Sequence, residues 1–332
     1  MELPASADPL PGGFDETEVT IDLRQSSLDA GGKGRSFAPP YPLDLRATLA
    51  PLRRGGGDPT HQVDADGTIW RTSPTPEGPA TLRLRREASG TVRAHVWGPG
   101  TRWMLDAVPR LLGADDDWSG FTPHHECVAD SWRRNPGLRL TRTGLILEQL
   151  APAILEQKVT GVEAWRSWRE LVRRFGTVAP GPAPAGMRVA PYADQWRTIP
   201  VWEWHKAGVD GARQRAIRAA ALVADRLEQA ASMTPEDAQR RLQAVPGIGP
   251  WTAAEVVQRA LGAPDAVSVG DYHLPTVVGW ALVGRGLDDG GMLTALGPYK
   301  PHRQRAIRLV EAAGVRPPRH GPRMSARDYR AF

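Results

Sequence analysis

The sequence predicts a mainly α-helical fold in which a smaller α+β unit precedes a helical domain. Three observations carry this expectation. Alternation of apolar and polar residues, the period of a half-buried strand, is confined to residues 68–97. From residue 116 onward strand signals vanish, and apolar residues recur at helical spacing. Within that helical region, two amphipathic segments are joined by a short turn holding two glycines, Pro246-Gly247-Ile248-Gly249-Pro250.

Taken in order, residues 1–36 are rich in Gly, Ser, Asp and Pro and show no periodic apolar pattern, so a disordered segment is expected there. Residues 41–52 suit a short helix. Strands are expected at 68–72, 80–85 and 91–97, with Asp66-Gly67 and Ser89-Gly90 as hairpin turns between them. A helix at 101–112 completes an α+β unit spanning 37–115. Helices follow at 145–158, 163–175, 211–231, 235–244, 251–261 and 302–313. The start at 235 is well marked by Thr234-Pro235-Glu236-Asp237: a Thr cap, Pro at the first position and acids in the first turn. The Pro/Gly-rich stretch 177–186 reads as a linker inside the helical domain 116–315. A basic, mobile tail is expected at 316–332.

The chain of 332 residues is long enough for two ordinary domains. No apolar run approaches the roughly 18 residues that a membrane helix needs. Met1-Glu2-Leu3-Pro4 lacks the basic-then-apolar pattern of a secretion signal. The single cysteine, Cys127, excludes an intrachain disulfide framework, a Cys-rich zinc site and a four-cysteine iron–sulfur cluster. A cytoplasmic location is expected. Residues 1–120 hold 13 basic and 17 acidic side chains, a net of −4, whereas the remainder holds 29 and 20, a net of +9. Lysine occurs only at positions 33, 158, 206 and 300, so 38 of the 42 basic residues are arginine. That bias fits a nucleic-acid partner, because arginine grips phosphate bidentately and stacks on bases; it equally fits the codon usage of a GC-rich genome. His124-His125-Glu126 has the outline of a zinc-deaminase motif, but the cysteines such a site requires are missing. Arg213, Arg215 and Arg218 form either a solvated helix face or a phosphate-facing one.

The glycine turn is the most specific chemical signal. Glycine permits positive φ and close backbone approach, and the helix that follows offers unpaired N–H groups at the positive end of its dipole. Such a turn holds a phosphate without a charged side chain, or else is a packing corner between two helices. Val245 and Ile248 are placed to anchor it in a core.

The segment from Leu242 to Ala254 resembles the helix-hairpin-helix of the DNA glycosylase superfamily of that name. Asp271, in Ala266-Val267-Ser268-Val269-Gly270-Asp271-Tyr272-His273, stands where that superfamily carries its catalytic aspartate. Two further stretches, Ala153-Ile154-Leu155-Glu156-Gln157-Lys158-Val159-Thr160 and Leu296-Gly297-Pro298-Tyr299-Lys300-Pro301-His302-Arg303, resemble the 3-methyladenine DNA glycosylase II, or AlkA-like, branch. The resemblance covers roughly residues 145–315. It implies a helical domain with a DNA groove and a hairpin at 235–261. It also implies removal of damaged bases, alkylated ones first, from duplex DNA by a monomeric, nucleoid-associated enzyme. No cofactor is implied beyond a monovalent cation at the hairpin, and no catalytic metal.

Residue by residue, the resemblance puts Gly247, Ile248, Gly249, Trp251, Thr252, Gln157 and Lys158 at the DNA, and Trp251, Glu255 and Tyr272 around the base. Glycosidic cleavage develops positive charge on the sugar, and a carboxylate beside that carbon stabilises it or positions water. Asp271 is the candidate, and Gly-Asp ahead of Tyr-His-Leu-Pro also suits a helix cap. Members that nick DNA use a lysine at the start of the second hairpin helix to form a Schiff base. Trp251 occupies that place here, which implies hydrolysis without strand cleavage. Two positions depart from the AlkA-like pattern: Glu255 and Glu311 stand where that branch often has pocket aromatics. Glu255 either enters the base pocket or forms an exposed i,i+4 pair with Arg259. Lys158 either binds the DNA backbone or is an ordinary surface lysine. A non-catalytic, damage-sensing protein and a glycosylase for oxidised or mismatched bases are the competing functions.

Overall fold

A computed structural model describes residues 31–318. The α+β unit holds a five-stranded antiparallel sheet built from β1 (Lys33–Phe37), β2 (His61–Val63), β3 (Ile69–Thr75), β4 (Gly78–Arg86) and β5 (Val92–Trp97), in the order β1-β5-β4-β3-β2. Alternation decides which face is buried. Leu82, Leu84, Ala94 and Val96 are sealed against Met104, Val108 and Leu111 of α2 (Thr101–Leu111), while Arg83, Arg85 and Arg93 take the other face. The short helix α1 (Leu45–Leu49) runs on into a 3-10 turn, Ala50–Leu52.

Two expectations for this unit need correction. The segment expected to be disordered contains β1, which pairs with β5 along its whole length. Only Phe37 of that strand is buried, so the apolar pattern is silent and main-chain pairing makes the strand. Residues 1–30 lie outside the described residues, as do 319–332 of the expected basic tail. The turn Asp66-Gly67 joins β3 to the three-residue β2, a strand too short to leave a pattern.

The helical region comprises α3 (Glu126–Arg134), α4 (Ile146–Leu155), α5 (Gly161–Phe175), α6 (Ala193–Thr198), α7 (Val201–Lys206), α8 (Gly211–Leu222), α9 (Ala224–Glu228), α10 (Pro235–Gln243), α11 (Pro250–Ala260), α12 (Leu274–Val283), α13 (Asp289–Ala295) and α14 (Arg303–Ala313). It folds around two cores. One gathers Ile146, Leu150 and Ile154 of α4 with Trp168, Trp196, Trp204, Ile217 and Val256. The other joins Val128 of α3 to Val278, Met292, Ile307 and Val310, so the start of the region packs on its end. The helix expected at 211–231 breaks at Val223, between α8 and α9. Helices α3, α6, α7, α12 and α13 were not foreseen.

The expected linker at 177–186 is also corrected. Strands β6 (Thr177–Val178) and β7 (Arg188–Val189) form a small hairpin, and Ala179 and Met187 pack on the stacked Trp70 and Trp97 of the first sheet. Its prolines and glycines shape a packed turn rather than a free connection. Buried ion pairs join the two parts: Arg71 to Glu148 at 2.6 Å and Arg54 to Glu156 at 3.3 Å. Trp168 Nε1 also donates to Asp58 at 3.0 Å. Among the described residues, no helix is long and apolar enough to cross a membrane.

Candidate active site

The hairpin is α10, a turn and α11. The α10 start is capped as expected, with Asp237 N donating to Thr234 Oγ1 at 3.2 Å and Pro235 at the first position. In the turn, Ile248 N donates to Val245 O, and the side chains of Val245 and Ile248 are buried. The two glycines are present for different reasons. Gly247 has φ +88°, and a Cβ there would lie 2.8 Å from Ala216 Cβ on α8. Gly249 is extended, with open space where its Cβ would project, and caps α11. The amides of Trp251 and Thr252 head α11 and have no acceptor inside the helix, which leaves them for an anion. The Ile248 and Thr252 side chains face inward, so these two residues have only main chain to offer to DNA. Thr252 is 2% exposed, and its hydroxyl accepts from Gln157 Nε2 at 2.8 Å.

Gln157 donates in addition to Gly247 O at 3.0 Å, so it ties the end of α4 to the hairpin turn. Its neighbour Lys158 is exposed and adopts φ +56°, the one non-glycine residue in the left-handed region among those described. That conformation is disfavoured for a side chain with a Cβ and persists only where surrounding contacts impose it. Arg213 resolves to a structural role: it is buried and donates to Asp210, to Leu155 O and to Gly208 O. Arg215 on the same helix is exposed.

Asp271 follows Gly270, whose φ is +90° and whose amide donates to the Asp289 carboxylate. Asp271 Oδ1 accepts from the amides of His273 and Leu274, each at 2.8 Å, at the start of α12. Oδ2 accepts from Trp251 Nε1 at 3.0 Å. The cap reading of this aspartate holds, and the cap leaves its second oxygen free for another contact. One oxygen caps α12, the other bonds to the hairpin helix, and the half-buried carboxylate lines a cavity of about 290 Å³.

Glu255 lines the same cavity. It accepts from Ser268 Oγ and pairs with Arg259 at 2.8 Å. Glu255 thus both lines the cavity and pairs with Arg259, and the pair is largely covered rather than exposed, with side chains 13% and 17% accessible. Arg259 Nε reaches across to Pro51 O at 3.0 Å, which brings the α+β unit into the cavity wall. Burial works against the Arg259 charge, but Glu255 and then Glu156 outweigh it and hold the guanidinium above its ordinary pKa. Glu311 also lines the cavity, bridged to Arg308 at 2.6 Å. Tyr272 does not line it: its ring is 84% exposed and meets His273 edge to face. Trp251 acts at the edge of the site through its indole N–H rather than as a wall.

Sequence reasoning missed Gln258, Ser268, Gln304 and Arg308. Gln258 stands seven residues after Trp251 and was within reach of a helical-face argument. Gln304 is 6% exposed, and its buried Oε1 has no hydrogen-bond partner within the protein. No Trp, Tyr or Phe is among the residues lining the cavity. Among the described residues, no group of three or more His, Cys, Asp or Glu side chains is arranged to hold a metal ion.

No family model matches the chain. Solved structures share its fold. A 3-methyladenine DNA glycosylase from Archaeoglobus fulgidus superposes with a TM-score of 0.70 at 17% identity, covering 84% of this chain and 98% of that one. A Clostridium acetobutylicum 8-oxoguanine glycosylase/lyase in complex with DNA gives 0.67 at 10% identity, covering 84% and 94%. The fold is that of the helix-hairpin-helix DNA glycosylases. In sequence, the chain is similar to a probable bifunctional transcriptional activator/DNA repair enzyme AlkA of Mycobacterium tuberculosis, at 32% identity over 171 residues, or 51% of this chain. The chain spans about a third of the length of that curated relative (32%).

Proposed function

We propose that the chain is a monofunctional DNA glycosylase that binds duplex DNA as a monomer, flips a damaged base into the cavity and hydrolyses its N-glycosidic bond. The observation that carries this reading is Asp271, fixed by three donors on the wall of a cavity beside the helix-hairpin-helix. The cavity, about 290 Å³, lies at the small end of ligand pockets. Flipping is required because the glycosidic carbon is shielded within the stacked duplex. Once the base is extruded, Asp271 stabilises the positive charge growing on the sugar and orients water toward it. The hairpin amides grip the backbone beside the lesion, and Lys158 stands next to them at the tip of α4. A monovalent cation at the hairpin would be held by main-chain carbonyls of the turn.

Absence of strand cleavage belongs to the same proposal. A Schiff base needs an amine at the sugar, and Trp251 stands in the lysine place with its N–H committed to Asp271. Similarity to the AlkA relative favours alkylated bases. The cavity wall favours a second reading, an oxidised or mismatched base held by hydrogen bonds, because polar side chains from α11, the 268–273 loop and α14 are interspersed with its apolar ones and it carries the unpaired Gln304 acceptor. A panel of alkylated, oxidised and deaminated bases in duplex oligonucleotides, scored for abasic sites, decides between them. Excision of none of these lesions would overturn the enzymatic reading.

A further inference from the structure

Arg54 lies in the α+β unit, does not line the cavity, and is 4% exposed. Its Nη1 donates to Glu156 at 3.3 Å and its Nη2 to Gln149 at 3.2 Å, both on or next to α4. Three residues earlier, Pro51 O receives Arg259 Nε. Glu156 acts on both guanidinium groups, and Arg54 in turn feels Arg259 and Glu255. Arg54–Glu156 at the junction and Arg259–Glu255 on the cavity wall are thus two largely covered ion pairs of alternating sign, not in direct contact with each other but joined through the 51–54 segment, whose Pro51 carbonyl holds Arg259. Buried charges of this kind settle into the arrangement in which each is neutralised, so removing one redistributes the others.

We propose that Arg54 is a positioning residue for the base pocket: by engaging Glu156, it leaves Arg259 to hold Glu255 in place. Without Arg54, the Glu156 carboxylate draws on Arg259, and Glu255 gains freedom and unbalanced charge inside the cavity. The α+β unit is then a working part of the specificity site. This rests on the glycosylase reading for its activity arm only.

Arg71 supplies the control. It is a second buried guanidinium at the same junction, paired with Glu148 on the same helix; Gln149 joins that pair to Arg54, but Arg71 has no bond to Glu156 and does not line the cavity, so its removal leaves the Arg54–Glu156 pair intact. The experiment compares Arg54→Met, Arg71→Met, Glu156→Gln and Arg54→Met/Glu156→Gln in the full chain. Excision of a cationic N-alkylpurine is measured relative to a neutral lesion. Arg54→Met should shift that ratio on the order of fivefold toward the cationic base. The double variant should return it to the wild-type value, and Arg71→Met should leave it unchanged. An equal shift from Arg71→Met, or failure of Glu156→Gln to rescue, overturns the proposal. A second arm needs no activity. Thermal stabilities of Arg54→Met, Glu255→Gln and their combination should be non-additive, whereas the Arg71→Met and Glu255→Gln pair should be additive. Additivity in both cycles also overturns the proposal. A chain that shows the first coupling but excises nothing would retain the network and lose the glycosylase reading.

Discussion

Asp271→Asn removes one negative charge and keeps the shape of the side chain. The amide oxygen can still accept from the His273 and Leu274 amides, now 2.8 Å from Oδ1, so the α12 cap survives. The amide nitrogen would then face Trp251 Nε1, donor against donor, where a 3.0 Å bond to a carboxylate existed. Loss of a hydrogen bond to a charged group costs about 1.5–3 kcal/mol, so a modest fall in Tm is expected. The catalytic loss is separate. Removing one preorganised electrostatic group from an active site costs about 3–4 kcal/mol of transition-state stabilisation, or on the order of 10²–10³ in rate, and a full charge beside the sugar should lie at the upper end or beyond. The assay is single-turnover excision from a lesion the wild type accepts, alongside fluorescence anisotropy on an uncleaved duplex. Excision should fall by at least about 10²-fold with duplex affinity within a few-fold of wild type. Excision within about tenfold of wild type would refute the reasoning and leave Asp271 as a cap alone.

The two hairpin glycines should separate: Gly247→Val forces both a left-handed backbone and a clash with Ala216, costing about 1–3 kcal/mol in thermal stability. Gly249→Ala should leave Tm unchanged but weaken duplex binding, because its methyl enters the open space in front of the turn; unchanged affinity would make the turn a packing corner. Gln304→Leu removes a buried acceptor that has no partner, so it should hold or raise Tm while lowering excision if the amide reads the base; unaltered excision across the lesion panel would remove Gln304 from recognition. His61 is buried and its pKa is pushed down from 6.5 to about 4, chiefly by burial. Its folded value lies below its unfolded value, so the stability it confers is complete above pH 6.5 and is lost as pH falls toward 4, by about 3 kcal/mol. His61→Gln should therefore flatten the fall of Tm over that interval, and an unchanged slope would show that other groups govern acid unfolding.

What was legible in the sequence is what depends on local pattern. The strands β4 and β5 announce themselves because one face is core and the other is open over most of their length, whereas β3 alternates in sequence although both its faces are covered, one by the first core and one by the 177–189 hairpin. The hairpin announces itself because Gly247 must have positive φ and the Thr234 cap sits at a fixed offset from the helix it starts. β1 was invisible because its strand character comes from β5, not from its own side chains. The linker 177–186 was misread because proline and glycine mark both free chain and tight packed turns, and only Trp70 and Trp97, distant in sequence, decide which. Helices α12 and α13 were missed for a related reason: α12 carries apolar residues on most of its circumference and shows little periodicity.

The site divides along the same line. Asp271 was legible because glycine before it and a helix start after it fix where its carboxylate can point. The cavity was not, because its wall is assembled from six separate segments: Pro51 of the first unit, Leu140 with Thr141, α11, the 268–273 loop, α12 and α14. Glu255 shows how this matters. From the sequence, a pocket carboxylate and an exposed i,i+4 pair with Arg259 stood as equal alternatives. In the fold, both side chains are covered, and each is held from a third direction, Ser268 for the acid and Pro51 for the base. A pair with its charge already neutralised and its lone pairs already engaged attracts a cationic base weakly. It presents a fixed pattern of donors and acceptors instead. Discrimination in such a wall comes from leaving a wrong base's polar edge unpaired, which rejects more strongly than any misfit of shape in an apolar pocket. The aromatics that the AlkA-like pattern would place at positions 255 and 311 would instead have gripped a base by stacking. Under the proposed function, ion pairs in place of rings are therefore the feature of this chain that bears most directly on lesion choice.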